Sequence, residues 1–315
     1  MAWVTWRQHR LQLLGVSLMV LLVAVAAAIT AQPIRSAYHG QALAACLPPA
    51  AQPGCDLILS HFSSEFGSRV QAARFLVILP ALVGVLIGAP LLAREFEQGT
   101  FRLAWAQGIS RRRWLLAKTL WLGLAVVLAS VALALIAMWW RQPFDRVAGR
   151  MSPSGFDIEG LVVPAYGLFA LTVGIFAGLL LRRSLAALAL AGGIFVATRG
   201  CLELLLRPHY LPPLHRTASG LVAATRARDW IIDNTVVDAV GRRITSAREG
   251  EAVLHAQRAG IQAQQYLASV GWRRVITFQP ADRFWTFQGI EAGILLVLAA
   301  LAVLGSVALL RRRPA

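Results

Sequence analysis

The chain has 315 residues, a formal net charge of +16, and a composition that is 57% hydrophobic and 15% charged. Its mean hydropathy of +0.61 is too high for a soluble domain of ordinary makeup. These values exclude a soluble globular protein and predict a protein that lies in the lipid bilayer. No nucleic-acid partner is expected, because cytoplasmic loops and contacts with anionic headgroups account for most of the positive charge.

Six apolar segments are long enough to cross a membrane as helices. The hydrocarbon core is about 30 Å thick, so a spanning helix needs roughly 20 mostly apolar residues. Lipid offers the backbone no hydrogen bonds, and uninterrupted runs of this length therefore favour helices. The predicted spans are residues 11–31, 74–93, 114–140, 160–181, 184–206 and 288–310.

The short loops predict the side of the membrane on which each end lies. With the N-terminus inside, the cytoplasmic segments carry 13 basic and two acidic residues, whereas the short outer segments carry six basic and five acidic residues. Lys and Arg are retained on the cytoplasmic side. The predicted fold class is an all-α polytopic membrane protein with six transmembrane helices, both termini cytoplasmic, and a small extracellular α+β insert between helices 5 and 6.

The chain divides into three predicted parts. Residues 1–207 hold the first five helices and a cytoplasmic loop at 94–113, residues 208–287 form the extracellular insert, and residues 288–315 form helix 6 and a basic tail. Within the insert, residues 230–240 and 241–245 predict short strands around a turn, and residues 247–270 predict a helix. The insert could cover an exit, bind a partner or act as a packed lid. Its histidines lack ligand spacing, so no metal site is expected.

Two cysteines, Cys46 and Cys55, lie in the first predicted outer loop, residues 32–73, on either side of a Pro- and Gly-rich turn. Disulfides persist outside the cytoplasm, and a tight turn brings the two thiols together. We therefore predict a bridge between them, with free thiols as the alternative.

Helix 5 carries a row of charged residues near its outer end. Arg199, Glu203 and Arg207 are spaced four apart and share one helical face. Glu291 of helix 6 lies at a similar depth and could pair with either arginine. Charged groups inside a membrane are costly and are usually paired or face water. The row is either part of a transport pathway or, as we favour, a salt-bridged row at the interface.

The loop at 94–113, here called the elbow, is more polar and more basic than the spans it joins. The second helix is expected to continue past the membrane until Gly99, because glycine is favoured just past a helix end. Thr100 is a suitable N-cap for a short helix over residues 101–107, and Ser110 can cap the third span.

This pattern of acidic residues, Gly-Thr, short helix and Ser-Arg resembles the ABC-2 type permeases, the membrane subunits of one class of ATP-binding cassette transporters. The six-helix plan agrees, so the resemblance extends over nearly the whole chain, and the Arg-rich insert is similar to actinobacterial members. The resemblance implies that the elbow contains a coupling helix seated in a cleft of the ATPase. It assigns this role to Glu95, Glu97, Gly99, Thr100, Phe101, Arg102, Trp105, Ser110, Arg111 and Lys118.

The chain is not expected to hydrolyse ATP itself. A phosphate-binding loop needs the pattern Gly-x-x-x-x-Gly-Lys-Ser/Thr, whose glycines let the backbone approach the phosphates. Lys118 is the single lysine, and Ala117 precedes it where glycine is required. No enzyme activity and no cofactor is therefore expected in this chain, and ATP and magnesium would bind to the partner ATPase.

The resemblance implies a permease subunit in the bacterial plasma membrane that exports an amphipathic or hydrophobic compound, such as an antibiotic, a drug or a lipid-like molecule. The expected partners are an ABC ATPase, a second permease copy or paralogue, and the lipid bilayer. Two alternatives stay open: an ion-coupled secondary transporter, and a membrane anchor for a regulatory partner.

Overall fold

The computed structural model describes residues 2–40, 43–47, 55–99, 111–219 and 228–312. Its α-helices are α1 (Ala2–Gly40), α2 (Cys55–Ala73), α3 (Ile78–Glu97), α4 (Arg111–Ala148), α5 (Pro153–Phe156), α6 (Val162–Leu181), α7 (Ser184–Cys201), α8 (Ser246–Arg258), α9 (Ala263–Ser269) and α10 (Phe284–Arg312). The strands are β1 (Leu214–Ser219), β2 (Trp230–Val237) and β3 (Arg273–Gln279). A 3-10 turn, Arg74–Val77, joins α2 to α3, and a π-helical segment, Leu202–Leu206, continues α7.

Six stretches of the described chain are long and apolar enough to span a membrane. They are Arg10–Gly40, Leu57–Glu97, Arg112–Ala148, Val162–Leu181, Ser184–His209 and Ala281–Arg311. Their number and order confirm the six predicted spans. The direction of each span stays a prediction from the charge distribution.

The region predicted to be the first outer loop, residues 32–73, is largely helical where the structure describes it, and its side of the membrane stays a prediction. It contains the end of α1 and all of α2. Phe62, Phe66 and Val70 recur every four residues along α2 and form one buried face. They belong to a cluster that includes Phe144 of α4. The polar residues between them made this amphipathic helix look like a loop.

Helix α6 forms the centre of the bundle, and most of its residues are buried. Helix α3 lies against it at backbone distance. A Cβ atom added at Gly88 of α3 would lie 2.2 Å from the carbonyl oxygen of Leu171, and one added at Gly178 of α6 would lie 2.5 Å from that of Ala89. Small residues allow such close contact between helices in lipid. The α3–α6 pair is therefore the closely packed part of the fold.

The insert between the last two spans contains a three-stranded antiparallel sheet with the order β1–β3–β2. Of the two predicted strands, residues 230–240 contain β2, whereas residues 241–245 form only an isolated bridge between Arg243 and Val237, and β2 pairs with β3 instead. The single helix predicted over 247–270 is instead two helices, α8 and α9, and the region between them includes Gly260 with a φ of +67°. Glycine accepts this left-handed conformation without a steric penalty, and the chain turns there.

Candidate functional site

A buried ionic assembly lies at the end of the bundle next to the insert. We call it the Arg207 cluster, and it consists of Asp157, Tyr166, Arg199, Glu203, Arg207, Tyr210 and Glu291. At its centre, Arg207 donates from Nε to Oε2 of Glu291 over 2.9 Å and from Nη2 to Oε1 over 2.7 Å. Both side chains are almost fully buried. This bidentate pair joins the end of the fifth span to the start of α10.

Asp157 lies between two arginines. One carboxylate oxygen accepts from Nη2 of Arg207 over 2.6 Å, and the other accepts from Arg199. Arg199 also pairs with Glu203, four residues along the same helix. The intervening π-helical segment has more residues per turn than an α-helix, so it rotates Arg207 back towards the direction in which Arg199 points. Both arginines can then bind the same carboxylate.

Two tyrosines complete the coordination of Glu291. Tyr166 of α6 donates to Oε1, and Tyr210 donates to Oε2 over 3.1 Å. Burial raises the pKa of Tyr210, and the neighbouring Glu291 carboxylate raises it further, so Tyr210 remains a neutral donor. Satisfied lone pairs offset much of the cost of a buried carboxylate. The cluster holds α6, α10 and the end of the fifth span together.

A second assembly, the Arg141 cluster, adjoins the first through the loop that carries Asp157. It consists of Arg141, Asp145, Arg150 and Glu159. Arg141 donates from Nε to Glu159 over 2.8 Å and lies 3.4 Å from Asp145, while Arg150 lies within 3.5 Å of both carboxylates. Burial, and then repulsion by Asp145, raises the pKa of Glu159 to about 8. A carboxyl group in this range holds a proton at neutral pH and releases it in mild base.

Gln288 fixes the loop that carries both Asp157 and Glu159. Its side chain donates to the carbonyl oxygen of Phe156 over 2.8 Å and accepts from the backbone N–H of Val162 over 2.9 Å. Between them, Gly160 has a φ of +72°, and a Cβ atom there would lie 2.7 Å from the Gln288 side-chain oxygen. The loop is thereby tied to α10 one turn before Glu291.

A separate group of contacts lies at the opposite end of the helices, next to the elbow. Glu95, in the last turn of α3, forms an ion pair with Lys118 in α4. The Lys118 side chain is almost fully buried, and its ammonium group lies 4.8 Å from the centre of the Trp114 ring. This pair links the two helices that flank the elbow.

Glu97 links α3 to a third helix. Its carboxylate accepts from the backbone N–H of Ser184 over 2.8 Å and from the Ser184 hydroxyl over 2.9 Å. It therefore satisfies a donor at the start of α7 that the helix itself leaves unpaired. The Arg182 guanidinium lies 5.1 Å from the Phe96 ring and adds a second contact between the same segments. The elbow thus begins where α3, α4 and α7 are joined, and we call this place the elbow junction.

Some of the residues assigned to ATPase coupling lie within the described structure. Glu95, Glu97 and Lys118 belong to the elbow junction, and Gly99 follows α3 with a φ of +68°. Arg111 is the first residue of α4. The predicted short helix falls outside the described residues, so the roles of its members stay predictions. These are Thr100, Phe101, Arg102, Trp105 and Ser110.

The remaining site predictions can be located directly. Cys46 and Cys55 are bonded to each other, with their Cα atoms 5.3 Å apart, and Cys201 is free and exposed. Glu291 pairs with Arg207, whereas Arg199 binds Asp157 and Glu203. Across the described ranges, no group of three or more His, Cys, Asp or Glu side chains could hold a metal ion.

The sequence interpretation missed seven residues of these assemblies, namely two tyrosines, Tyr166 and Tyr210, and five charged residues, Arg141, Asp145, Arg150, Asp157 and Glu159. The five charged residues lie in or beside a short segment whose balanced charges carried little information by themselves. The useful signal was this near equality of acids and arginines next to apolar spans, where unpaired charges are costly. Gln288, one turn before Glu291, was a further polar residue in the last span.

Six helices of membrane-spanning length, with ion pairs buried at one end of the bundle and with α3, α4 and α7 joined at the elbow junction, define a multi-pass membrane protein. Residues 17–207, more than half of the chain, match the model of the family described as ABC-2 membrane transporter related. The chain belongs to this family. Searches of curated proteins and of solved structures gave no match.

Proposed function

We propose that this chain is the permease subunit of an ATP-binding cassette transporter, driven by a separate ATPase through the elbow. The observation that carries the proposal is the elbow junction. Glu95 and Glu97 lie two residues apart at the end of α3 and contact α4 and α7 respectively. A force applied to the elbow would therefore act on three spans at once. Family membership supports the same role, because ABC-2 permeases work with ATPase subunits.

Helix α7 provides a path from the elbow to the insert end. It begins at Ser184, which Glu97 holds, and its continuation ends at Arg207, about 35 Å away at 1.5 Å per residue. At that end, Asp157 and Glu291 bind its two arginines. In the proposed mechanism, closure of the ATPase pair displaces the start of α7 and shifts Arg199 and Arg207 relative to their partners. Access between the permease and a second copy or paralogue then changes side.

The proposed cargo is an amphipathic or hydrophobic compound, moved outward across the bacterial plasma membrane. An apolar cavity of about 460 Å³ supports this choice. It lies between α1, α4 and the α2–α3 turn, and its lining is mostly aliphatic. Such a cavity favours apolar bodies over ions or sugars, because polar cargo would lose its hydration there without gaining partners. ATP and magnesium bind the ATPase in this mechanism.

The first test is co-expression with the ATPase encoded nearest to this chain, purification through a tag on the permease, and measurement of ATP turnover. Wild type should retain the ATPase and stimulate it. Arg102→Glu, within the predicted coupling helix, should weaken the association. Glu97→Ala should retain the ATPase but lose most of the stimulation, because the junction to α7 is broken. Failure of wild type to retain an ATPase in any nucleotide state would contradict the proposal.

The buried carboxyl groups favour one second candidate, an ion-coupled carrier. Glu159 has a pKa of about 8 and lies beside Asp145, so this site can bind and release a proton near neutral pH. Cargo flux into vesicles that contain only the permease, driven by a proton gradient and abolished by Glu159→Gln, would support the carrier. ATP-dependent flux that requires the ATPase and survives collapse of the gradient would support the permease.

A further inference from the structure

A cavity of about 540 Å³ lies between the α2–α3 turn and α7, next to the Arg207 cluster. Arg74 and Phe75 form one wall, Val196, Arg199 and Glu203 form the other, and Asp157 lies at its inner side. The volume falls in the range of about 300–1,000 Å³ that is typical of small-molecule sites. The lining combines apolar and charged side chains, so the cavity suits a molecule with two chemically different ends.

The charged groups that line this cavity are two arginines, Arg74 and Arg199, and two carboxylates, Asp157 and Glu203. Arg74 is exposed, its guanidinium lies 5.5 Å from the centre of the Phe75 ring, and it forms no ion pair with any residue that the structure describes. Nε of Arg199 is buried and has no hydrogen-bond partner within the same described ranges. The two carboxylates, by contrast, are already paired: Asp157 binds Arg199 and Arg207, and Glu203 binds Arg199. Arg74 is therefore an accessible cation without a carboxylate partner among the described residues, and an anionic ligand would provide one.

The apolar part of the lining offers a route for a long hydrophobic body. Phe75 and Val196 are 62% and 69% exposed, although both are large apolar residues. Phe75 and Val77 also line the apolar cavity of about 460 Å³ on the other side of the α2–α3 turn. An alkyl chain that packs on Phe75 can therefore continue from the mixed cavity towards the apolar one.

We infer that this cavity binds a single-chain amphipathic anion, whose carboxylate or phosphate head lies at Arg74, on the side of the cavity that faces Arg199, and whose chain packs on Phe75 and Val196. The inference deepens the proposed function, because it names a cargo class and a binding place for it. The binding step requires neither the ATPase nor ATP, so it can be tested on the permease alone.

The test uses the purified chain in phosphatidylcholine nanodiscs and an intrinsically fluorescent polyene fatty acid, compared with its methyl ester. Wild type should bind the acid about tenfold more tightly than the ester, as expected for charge-assisted hydrogen bonds. Arg74→Gln should lower the affinity for the acid to that for the ester. Arg248→Gln, an exposed arginine on α8 in the insert, is the matched control for net charge and should leave the difference intact.

A second pair of variants tests the apolar contacts. Val196→Trp should fill the cavity and abolish saturable binding of both probes. Ala197→Trp, at the adjacent exposed residue, does not line the cavity and should leave binding unchanged. Equal affinity for acid and ester, or equal behaviour of the two Trp variants, would overturn the inference.

Competition experiments distinguish the possible sources of the head group. A lysophosphatidate should displace the bound fatty acid, because it joins a phosphate head to one chain. Inorganic phosphate at the same concentration should not, and displacement by phosphate alone would contradict an amphipathic site. If the acid binds but no ATPase associates, the binding site is supported and the proposed function is contradicted. If the chain stimulates the ATPase but shows no acid-selective binding, the proposed function is supported and the binding site is contradicted.

Discussion

Glu97, at the end of α3, caps the first turn of α7 by accepting hydrogen bonds from both the backbone N–H and the hydroxyl of Ser184. The two residues are 87 positions apart, and their contact joins spans that are not neighbours in sequence. Two residues earlier, Glu95 joins the same helix to α4. The acidic pair of the elbow therefore fixes the relative positions of three helices where an ATPase is proposed to act.

Glu97→Ala should lower the thermal stability of the detergent-solubilised protein, because the first turn of α7 loses an acceptor for its free donors. Glu97→Gln keeps an oxygen for the Ser184 N–H and should retain most of the stability. Ser184→Ala removes the hydroxyl contact alone and should lie between them. Thermal unfolding, monitored by intrinsic fluorescence, measures the relative stability of the three variants. A Glu97→Ala protein as stable as wild type would show that the cap contributes nothing.

Arg207→Ala should lower the free energy of unfolding by about 3–5 kcal/mol, because it leaves the carboxylates of Glu291 and Asp157 buried without their shared partner. Arg207→Lys keeps the charge but loses the bidentate geometry and should cost less. Arg242, which pairs with Asp238 on the exposed surface of the insert, provides the control.

Arg242→Ala should leave the unfolding midpoint almost unchanged, since exposed pairs contribute little. Denaturant unfolding in a fixed detergent compares the three variants. Similar shifts for Arg207→Ala and Arg242→Ala would contradict the picture of a buried, paired cluster.

The raised pKa of Glu159 predicts a pH dependence with a defined sign. Its pKa is 4.5 when solvated and about 8 in the folded protein, so the folded state binds the proton more tightly than the unfolded state. The stability contributed by this proton is complete below pH 4.5 and is lost as the pH rises towards 8. The melting temperature of wild type should therefore fall as the pH rises from about 4.5 to about 8.

Glu159→Gln mimics the protonated form and should flatten that dependence. Glu251→Gln, at an exposed position on α8, should leave the wild-type slope in place. Melting curves at four pH values in one buffer series decide the matter. A Glu159→Gln protein with the full wild-type slope would assign the effect to another group.

Gly88→Ala should destabilise the protein by about 1–3 kcal/mol, because the added Cβ would collide with the backbone of Leu171 and force α3 and α6 apart. Gly193→Ala is the matched control within a helix. A Cβ atom added at Gly193 would meet no other atom within 4 Å, so the substitution should stabilise α7 by about 0.5–1 kcal/mol. Unfolding curves of the two variants should move in opposite directions, and equal shifts would argue against the close α3–α6 contact.

The Cys46–Cys55 bridge predicts a simple labelling pattern. Under non-reducing conditions, an alkylating reagent should modify Cys201 alone after unfolding, and reduction should expose two more thiols. Replacing both bridged cysteines by serine should cost about 2–3 kcal/mol, the value expected for closing a short loop. Mass spectrometry counts the labelled thiols, and thermal unfolding measures the loss of stability in the serine variant. Three labelled thiols without reduction would show that the bridge does not form.

The sequence by itself determined the number of spans, the end of α3 at the elbow and the resemblance to the ABC-2 permeases. Each depends on neighbouring residues: hydropathy over about 20 positions decides a span, and Gly99 after a helical run decides where that helix ends. Strand β2 was also visible as a local alternation of side chains. Helix α2 was missed because its apolar stripe is interrupted by Ser, His and Glu residues that face outward.

Only the tertiary structure decided which charges meet. The sequence left Glu291 with two candidate partners, Arg199 and Arg207, and the structure selects Arg207, 84 positions away. Asp157 comes from a loop whose balanced composition gave no reason to place it between two arginines. The π-helical segment after α7 changes the direction of Arg207 by local backbone geometry that residue spacing does not reveal. Pairing of this kind depends on how helices pack and rotate against one another, and the free energy of burying each charge depends on the partners that packing supplies.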